Sequence, residues 1–266
     1  MTSPVLLTTS DGVATLTLNR PDRLNAQNTD LFECALGHLE RLAADDSVRV
    51  VVLTGAGRAF CAGGDISTMG APAGGGEVPP LAQSVRQLRA LTYTSQLLHE
   101  MPKITIAAIN GAVAGGGLSW ATACDLRYAS SDARFTTAFV NVGLSGDFGI
   151  SYFLSRVVGP AKAGELLYFS EVFDASEALR IGLVNDVVPA DDLLAYVYRR
   201  AALLVDKAPV ALARVKENLR DAQRLELAPY LDAESDRLIR TMATADHVEA
   251  ATAFLEKRRP DFGRTA

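Results

Sequence analysis

The sequence predicts an α/β fold, and three observations lead to that prediction. Two runs of apolar and β-branched residues, 48–54 and 104–109, each end at a glycine-containing turn and have the length of a buried strand. Segments between and around these runs repeat their apolar residues at helical spacing. After about residue 191 only helical patterns remain. Strands that alternate with helices predict a mixed core, here followed by a helical C-terminal region.

The first elements in chain order are a strand, a helix and a second strand. Residues 13–18 alternate apolar and polar side chains and end at the turn signal Asn-Arg-Pro-Asp of 19–22, which predicts a half-buried strand. Residues 28–44 carry apolar side chains at helical spacing. Residues 48–54 then give the first buried strand, which ends at a glycine.

The middle of the chain continues the alternation. Residues 70–80 are rich in Gly, Ala and Pro without a period, which predicts a loop. A helical pattern over 81–99 precedes the strand 104–109. After three consecutive glycines we expect a helix over 118–123 and a short strand over 126–129.

The last part of the chain is predicted to be helical. A helix is expected over 148–158, and four amphipathic helices are expected at 193–204, 210–227, 228–241 and 248–257. We therefore divide the chain into a mixed core, 1–192, and a helical region, 193–266.

Composition excludes several classes of function. The 266 residues carry a net charge of −5 and include no long basic stripe, so no nucleic-acid partner is expected. Three cysteines without paired spacing predict neither a disulfide framework nor a metal site. No apolar run reaches the ~18 residues of a membrane span, and the first ten residues lack a signal-peptide pattern. We expect a cytoplasmic protein with reduced thiols and no membrane partner.

Two segments share one layout, in which a buried strand leads into a glycine-containing turn and then into a helix. They are 50–65, which contains Gly55, Gly57, Gly63 and Gly64, and 104–117, which ends in three glycines. Glycine lets backbone approach a ligand closely, and a helix start leaves N–H groups without partners. Two such turns that converge would form an oxyanion hole. The alternative is that these glycines only make tight turns or close packing.

The chain resembles the crotonase (enoyl-CoA hydratase/isomerase) superfamily over nearly its whole length. The central motifs are Ala-Phe-Cys-Ala-Gly-Gly-Asp-Ile at 59–66 and Pro-Lys-Ile-Thr-Ile-Ala-Ala-Ile-Asn-Gly at 102–111, followed by the triple glycine. The remaining motifs, in order along the chain, are Leu-Asn-Arg-Pro at 18–21, Leu-Asn-Ala at 24–26, Ala-Ser-Glu-Ala-Leu-Arg-Ile-Gly-Leu-Val-Asn at 175–185 and Ala-Phe-Leu-Glu-Lys-Arg at 253–258.

This resemblance implies a fold, a substrate class and an oxyanion hole. The fold would be a crotonase-like ββα spiral core that binds acyl-CoA, with a helical C-terminal region that assembles the chain into homotrimers or dimers of trimers. The backbone N–H groups of Gly64 and Gly116 would bind the thioester oxygen and its enolate. No cofactor or metal is expected, because coenzyme A arrives with the acyl-CoA substrate.

The acid/base pattern resembles the isomerases of the family, including the ring-opening isomerase of phenylacetate degradation. Hydratases of the family carry two glutamates, and this chain has Ser119 and Phe139 at those positions. Asp147, four residues after Gly143, matches the aspartate of the isomerases. We therefore expect Asp147 to be the acid/base of a double-bond isomerisation. The alternatives are 2-enoyl-CoA hydration, a non-catalytic acyl-CoA-binding protein and, for Asp147, an N-cap of the helix that follows.

Further candidates surround this site. The residues predicted to contact substrate are Arg23, Ala26, Ala62, Asp65, Ile66, Gly115, Ser119, Phe139, Phe148 and Lys257. Asp65 is alternatively a turn residue, Ser119 a packed hydroxyl and Lys257 part of a solvated tail. If functional, Lys257 would meet coenzyme A phosphates, including those bound to a neighbouring subunit. Cys61 has no histidine placed to activate it and is not expected to be a nucleophile.

Overall fold

The computed structural model describes residues 3–68 and 80–263 as a mixed α/β structure. Its strands are β1 Val5–Ser10, β2 Val13–Leu18, β3 Val50–Gly55, β4 Ala59–Cys61, β5 Ile104–Ile109, β6 Ala112–Ala114, β7 Leu126–Ser130, β8 Arg134–Thr136, β9 Phe173–Asp174 and β10 Asp186–Val188. Its helices are α1 Thr29–Ala44, α2 Leu81–Leu91, α3 Tyr93–Glu100, α4 Gly115–Ala123, α5 Ile150–Val158, α6 Pro160–Phe169, α7 Ala175–Arg180, α8 Leu193–Val205, α9 Pro209–Asp221, α10 Leu227–Met242 and α11 Ala245–Glu256. The α/β class predicted from the sequence is confirmed.

Two sheets run through the core. The larger has the order β1-β2-β3-β5-β7-β10 and the smaller the order β4-β6-β8-β9. From β2 to β10 the neighbours in the larger sheet are parallel, and β4, β6 and β8 are parallel in the smaller one. The pairs β3/β4, β5/β6 and β7/β8 each send their first strand to the larger sheet and their second to the smaller. Each pair is followed by at least one helix, which is the predicted ββα spiral.

The larger sheet is covered on both faces. Side chains of β3 alternate between the two, so that Val51 and Leu53 belong to the main core while Val50 and Val52 pack against α8. This burial explains why β3 and β5 are almost continuously apolar. The helix α8 therefore packs directly on the sheet. The proposed boundary at residue 192 stays a prediction.

A buried ion pair connects the helical region to the core. Lys216, in α9, is 5% exposed, and its Nζ lies 2.7 Å from Asp125 Oδ2, just before β7. The same ammonium group donates to the backbone oxygens of Leu98 and Lys103, at 3.2 and 3.0 Å. Thr105 also donates to Asp125 Oδ2, from its backbone N and its Oγ1. These contacts attach α9 to the start of β5.

The structure differs from the predicted elements in several places. The sequence analysis missed β1, the strands of the smaller sheet and β10, most of which have only two or three residues. The helix expected over 81–99 is two helices, and α4 begins at Gly115, three residues earlier than expected. The loop expected at 70–80 lies outside the described residues except for Pro80. Within 3–68 and 80–263, no helix is both long and apolar enough to span a membrane.

Candidate oxyanion hole and carboxylate site

Two backbone turns lie next to each other because the strands that precede them are paired. β4 is parallel to β6, with Ala59 opposite Ala112, so the glycines that follow each strand emerge at the same edge. A Cβ added at Gly63 would stand 3.0 Å from the Ala114 oxygen. Glycine at position 63, with φ at +87°, is therefore required by both space and backbone conformation.

The N–H groups of Gly64 and Gly116 are available at this edge. Gly64 and Gln27 form an isolated parallel β-bridge. In its two hydrogen bonds, both of 2.8 Å, Gln27 N donates to Gly63 O and Asp65 N donates to Gln27 O. Neither bond uses the N–H of Gly64. Gly116 is the second residue of α4, whose N-cap Ala114 provides no side-chain cap. The first N–H groups of a helix have no intrahelical partner and carry the positive end of its dipole, so this edge suits a developing negative charge.

Asp147 lies beside Gly116 as a half-buried carboxyl. A Cβ at Gly116 would stand 3.6 Å from Asp147 Oδ1. This oxygen is sealed from solvent without a hydrogen-bond partner, while the residue as a whole is partly exposed. Burial raises the pKa of Asp147 from its ordinary 3.8 to about 6. Such a carboxyl can exchange protons near neutral pH.

The alternative role of Asp147 as a helix N-cap is wrong. α5 begins at Ile150, its N-cap is Gly149, and no side chain caps it. The backbone has positive φ at Gly146 and Phe148, on either side of Asp147, and again at Gly149. These turns hold the carboxyl beside α4 rather than at the start of α5.

The two positions that carry glutamate in the hydratases contribute no acid or base here. Ser119 is fully buried, and its Oγ lies 3.3 Å from Gly115 O and 3.1 Å from Asp147 O, as in the packed-hydroxyl alternative. The hydroxyl therefore connects α4 to the segment that carries Asp147, which is a positioning role; its predicted contact with substrate stays a prediction. Phe139 is buried, with ring atoms 3.8 Å from the point where a Gly115 Cβ would stand.

Phe148 and Asp65 have partners within the chain, and their contact with substrate stays a prediction. The Phe148 ring is buried and stacks on Phe32 with ring centroids 4.7 Å apart. The Asp65 carboxylate accepts from Ser67 Oγ at 2.6 Å and from Arg20 Nη2 at 3.0 Å. These contacts, first Ser67 and then Arg20, hold the pKa of Asp65 below its usual value. The structure favours the turn role for Asp65.

The other predicted contacts fall into two groups. Ala26 and Ala62 are partly buried near the glycine turns, where Arg20 also donates to the Ala26 oxygen, while Gly115 is buried at the start of α4. Arg23 and Ile66 are exposed, Ile66 at 67%. For all five residues, contact with substrate stays a prediction.

Lys257 lies away from the glycine turns of its own chain. It ends α11, and just beyond it the oxygen of Phe262 accepts from Arg49 Nη2 at 3.0 Å. Arg49 precedes β3, whereas Gly64 follows β3 and β4, so the tail lies at the opposite ends of the strands. A contact between Lys257 and substrate within one chain is not supported. Its contact with substrate on a neighbouring subunit stays a prediction.

The sequence analysis missed Gln27. This side chain is 2% exposed, and a Cβ at Gly116 would collide with its Oε1. In the sequence Gln27 is one polar residue between the Leu-Asn-Ala motif and the predicted helix, a position that resembles an ordinary loop. Only the path of the chain brings it to Gly116.

The thiol of Cys61 is buried near the glycine turns. Burial raises the pKa of Cys61 to about 12, which agrees with the expectation that it is not a nucleophile. Over residues 3–68 and 80–263, no cluster of three or more His, Cys, Asp or Glu side chains is arranged to hold a metal ion.

Comparison with known proteins finds relatives that match nearly the whole chain. The family model for enoyl-CoA hydratase/isomerase matches residues 8–265. The crotonyl-CoA hydratase of Syntrophomonas wolfei subsp. wolfei is 35% identical over 260 residues, 97% of each chain. The 1,2-epoxyphenylacetyl-CoA isomerase of Escherichia coli K12 is 35% identical over 251 residues, 94% of this chain and 95% of the relative.

Solved structures show the same similarity over nearly the whole chain. The crystal structure of an enoyl-CoA hydratase from Polaromonas sp. JS666 matches with a TM-score of 0.89 and 35% identity, covering 97% of this chain and 98% of that chain. The crotonase fold is therefore shown by sequence and by structure. The chain belongs to the enoyl-CoA hydratase/isomerase family and is an enzyme of the crotonase superfamily.

Proposed function

We propose that this enzyme moves a carbon–carbon double bond within an enoyl-CoA thioester. The Asp147 carboxylate removes a proton from Cα of a 3-enoyl-CoA. The electron pair of that C–H bond forms a double bond between Cα and the thioester carbon, while the carbonyl π pair moves onto the thioester oxygen. The resulting dienolate is stabilised by the N–H groups of Gly64 and Gly116. Asp147 then returns the proton to Cγ, which gives the conjugated 2-enoyl-CoA.

One observation carries this proposal. Asp147 is the acid/base candidate beside the first turn of α4, and burial has raised its pKa to about 6. The positions of the two hydratase glutamates hold Ser119, which is bonded to backbone, and the apolar Phe139. A single carboxyl suits isomerisation, because the proton that it removes is the proton that it returns.

The substrate and assembly follow from the same family pattern. The acyl group is proposed to arrive as its coenzyme A thioester, without a further cofactor. The chain is proposed to form homotrimers or dimers of trimers. Of the predicted contacts, Ala26, Ala62, Gly115 and Phe139 lie near the glycine turns or along them and are proposed to line the thioester site.

Hydration of a 2-enoyl-CoA is the second candidate. It is favoured by the names of several relatives, such as the crotonyl-CoA hydratase of S. wolfei and the short-chain-enoyl-CoA hydratase of Clostridium acetobutylicum, which is 37% identical over 265 residues. The 1,2-epoxyphenylacetyl-CoA isomerase and the crotonyl-CoA hydratase are each 35% identical to this chain. Sequence identity therefore favours neither reaction. Site chemistry favours isomerisation, because hydration must also hold and deprotonate a water molecule.

Product analysis tests the proposal. The enzyme is incubated separately with a 3-enoyl-CoA and a 2-enoyl-CoA of the same chain length, and the products are identified by mass and by absorbance of the conjugated thioester. Rapid formation of the 2-enoyl-CoA with slow formation of 3-hydroxyacyl-CoA supports isomerisation. Faster addition of water than migration of the double bond contradicts it.

A further inference from the structure

A buried glutamine next to the site has no hydrogen-bonding partner for its side chain. Both Oε1 and Nε2 of Gln27 are sealed from solvent and unpaired. Buried side-chain amides are normally hydrogen-bonded, because leaving one unpaired is destabilising. An apolar side chain of similar length would avoid this loss. The unpaired amide therefore indicates a role in function.

The backbone fixes where this side chain can go. The backbone N–H of Gln27 donates to Gly63 O, and the backbone O of Gln27 accepts from Asp65 N–H. Gly63 and Asp65 lie on either side of Gly64. These two bonds fasten Gln27 to the turn that carries one of the candidate N–H donors. Its side chain then extends towards α4, where the other donor lies.

The amide and Asp147 border the same point. The position that a Gly116 Cβ would occupy lies against Gln27 Oε1, 3.3 Å from Gln27 Cδ and 3.6 Å from Asp147 Oδ1. Asp147 Oδ1 is itself sealed from solvent and unpaired. The absence of a side chain at Gly116 thus brings two unpaired polar groups towards each other. The neighbouring Ser119 hydroxyl donates to the backbone oxygens of Gly115 and Asp147 and does not bond to either unpaired group.

We propose that Gln27 is a positioning residue, whose amide pairs with Asp147 Oδ1 during turnover and holds Oδ2 towards the substrate. This inference rests on the proposed function, in which Asp147 carries the proton. The last torsion of a glutamine is soft, so a rotation of the amide can present either of its polar atoms to Oδ1. Oxygen and nitrogen of such an amide are also interchangeable in assignment.

An amide suits a carboxyl that changes its protonation state. Nε2 donates to Oδ1 of the carboxylate before the proton is taken, and it keeps donating to Oδ1, then the carbonyl oxygen of the acid, while Oδ2 holds the proton. The carboxyl thus keeps one orientation in both states, which proton return to a second carbon requires. A methionine or leucine side chain would fill the space but could not donate to Oδ1.

The test compares Gln27→Met with wild type, using a 3-enoyl-CoA over a range of pH. The expected result is a fall in kcat of roughly tenfold, the effect of losing a hydrogen bond to a charged group, with KM little changed. The midpoint of the pH–rate profile should move up by about one pH unit, because the carboxylate has lost a donor. In the Asp147→Asn background, Gln27→Met should have no further effect on kcat.

A second variant and a matched control complete the design. Gln27→Glu keeps the length of the side chain but places another carboxyl against Asp147, so the midpoint should rise further than in Gln27→Met. Ser95, in α3, carries another buried polar group without a hydrogen-bond partner. Ser95→Ala removes this hydroxyl and should leave the kcat and the pH profile unchanged.

Three results would overturn the inference. They are an unchanged kcat and pH profile in both Gln27 variants, a rise in KM alone, which would make the amide a substrate contact, and an equal effect of Gln27→Met with and without Asp147. If Asp147→Asn reduces turnover while Gln27→Met does not, only the role of Gln27 fails. If Asp147→Asn is fully active, the proposed function fails first.

Discussion

The hydroxyl of Ser119 lies 3.1 Å from the backbone oxygen of Asp147, and so joins the helix that begins at Gly116 to the segment that carries the carboxyl. Both the candidate oxyanion donor and the candidate acid/base are thus attached to the first turns of α4. A substitution that loosens this attachment should affect the reaction without removing either group.

Replacing Ser119 by alanine should weaken turnover moderately. The backbone oxygen of Asp147 would lose this donor, at a cost of about 1 kcal/mol, and kcat should fall about fivefold. Steady-state kinetics with a 3-enoyl-CoA measure this change. Ser155→Ala is the control, because Ser155 makes a similar bond to its own helix on the exposed side of α5 and should have wild-type kinetics. Equal rates for Ser119→Ala and wild type would remove the positioning role.

Gly116→Ala should abolish most of the activity. The added Cβ would collide with Gln27 Oε1, so either the N–H of residue 116 or the amide must move. Displacing one oxyanion donor typically lowers kcat by ~10²-fold. Gly37→Ala, in α1, is the matched control, because its Cβ would meet nothing within 4 Å. A fully active Gly116→Ala enzyme would show that displacement of neither this N–H nor the Gln27 amide limits turnover.

The activity should depend on pH through Asp147. Removal of a proton from Cα needs the carboxylate, so kcat/KM should rise with pH and level off above a midpoint near the raised pKa of about 6. A profile measured from pH 4 to 9 gives this midpoint. A midpoint near 4 would contradict the effect of burial on this carboxyl.

The free energy of unfolding should fall as pH rises, whereas the activity should rise. A pKa of about 6 in place of 3.8 means that the folded protein disfavours the carboxylate, by about 3 kcal/mol above pH 6. This loss develops as pH rises from about 4 to 6 and vanishes below that window. Asp147→Asn should therefore unfold at a higher temperature than wild type at pH 8, with a smaller difference near pH 4. An equal difference at both values would contradict the raised pKa.

Lys216→Met should destabilise the attachment of α9 to the core. It leaves the partly buried Asp125 without its cation, and breaking such a pair costs roughly 3 kcal/mol. Lys207→Met, at an exposed lysine, should change the free energy of unfolding by less than about 0.5 kcal/mol. Urea unfolding compares the two variants. Similar stabilities would show that the ion pair contributes little.

Long elements could be predicted from the sequence because their patterns extend over several residues. The helix α1 and the strands β3 and β5 were found within two residues of their bounds. The strands of the smaller sheet were missed because two or three residues cannot display alternation. They form because the spiral brings each beside its neighbour.

The site was predictable where a motif stands in one segment and not where distant segments meet. Gly64, Gly116 and Asp147 were identified through the family resemblance. Gln27 could not be, because its importance depends on the missing side chain of Gly116. The partners of Phe148 and Asp65 could not be predicted for the same reason, since Phe32 and Arg20 lie far away in the chain.

Proton transfer by Asp147 between two carbons of an enoyl-CoA is the step on which the proposed isomerisation depends. The most direct test is turnover of a 3-enoyl-CoA by wild type and by Asp147→Asn, which keeps the shape of the side chain but removes its basicity. We expect the wild type to form the 2-enoyl-CoA and the variant to lose ~10²-fold or more in kcat while still binding the thioester. Wild-type turnover by Asp147→Asn would contradict the account.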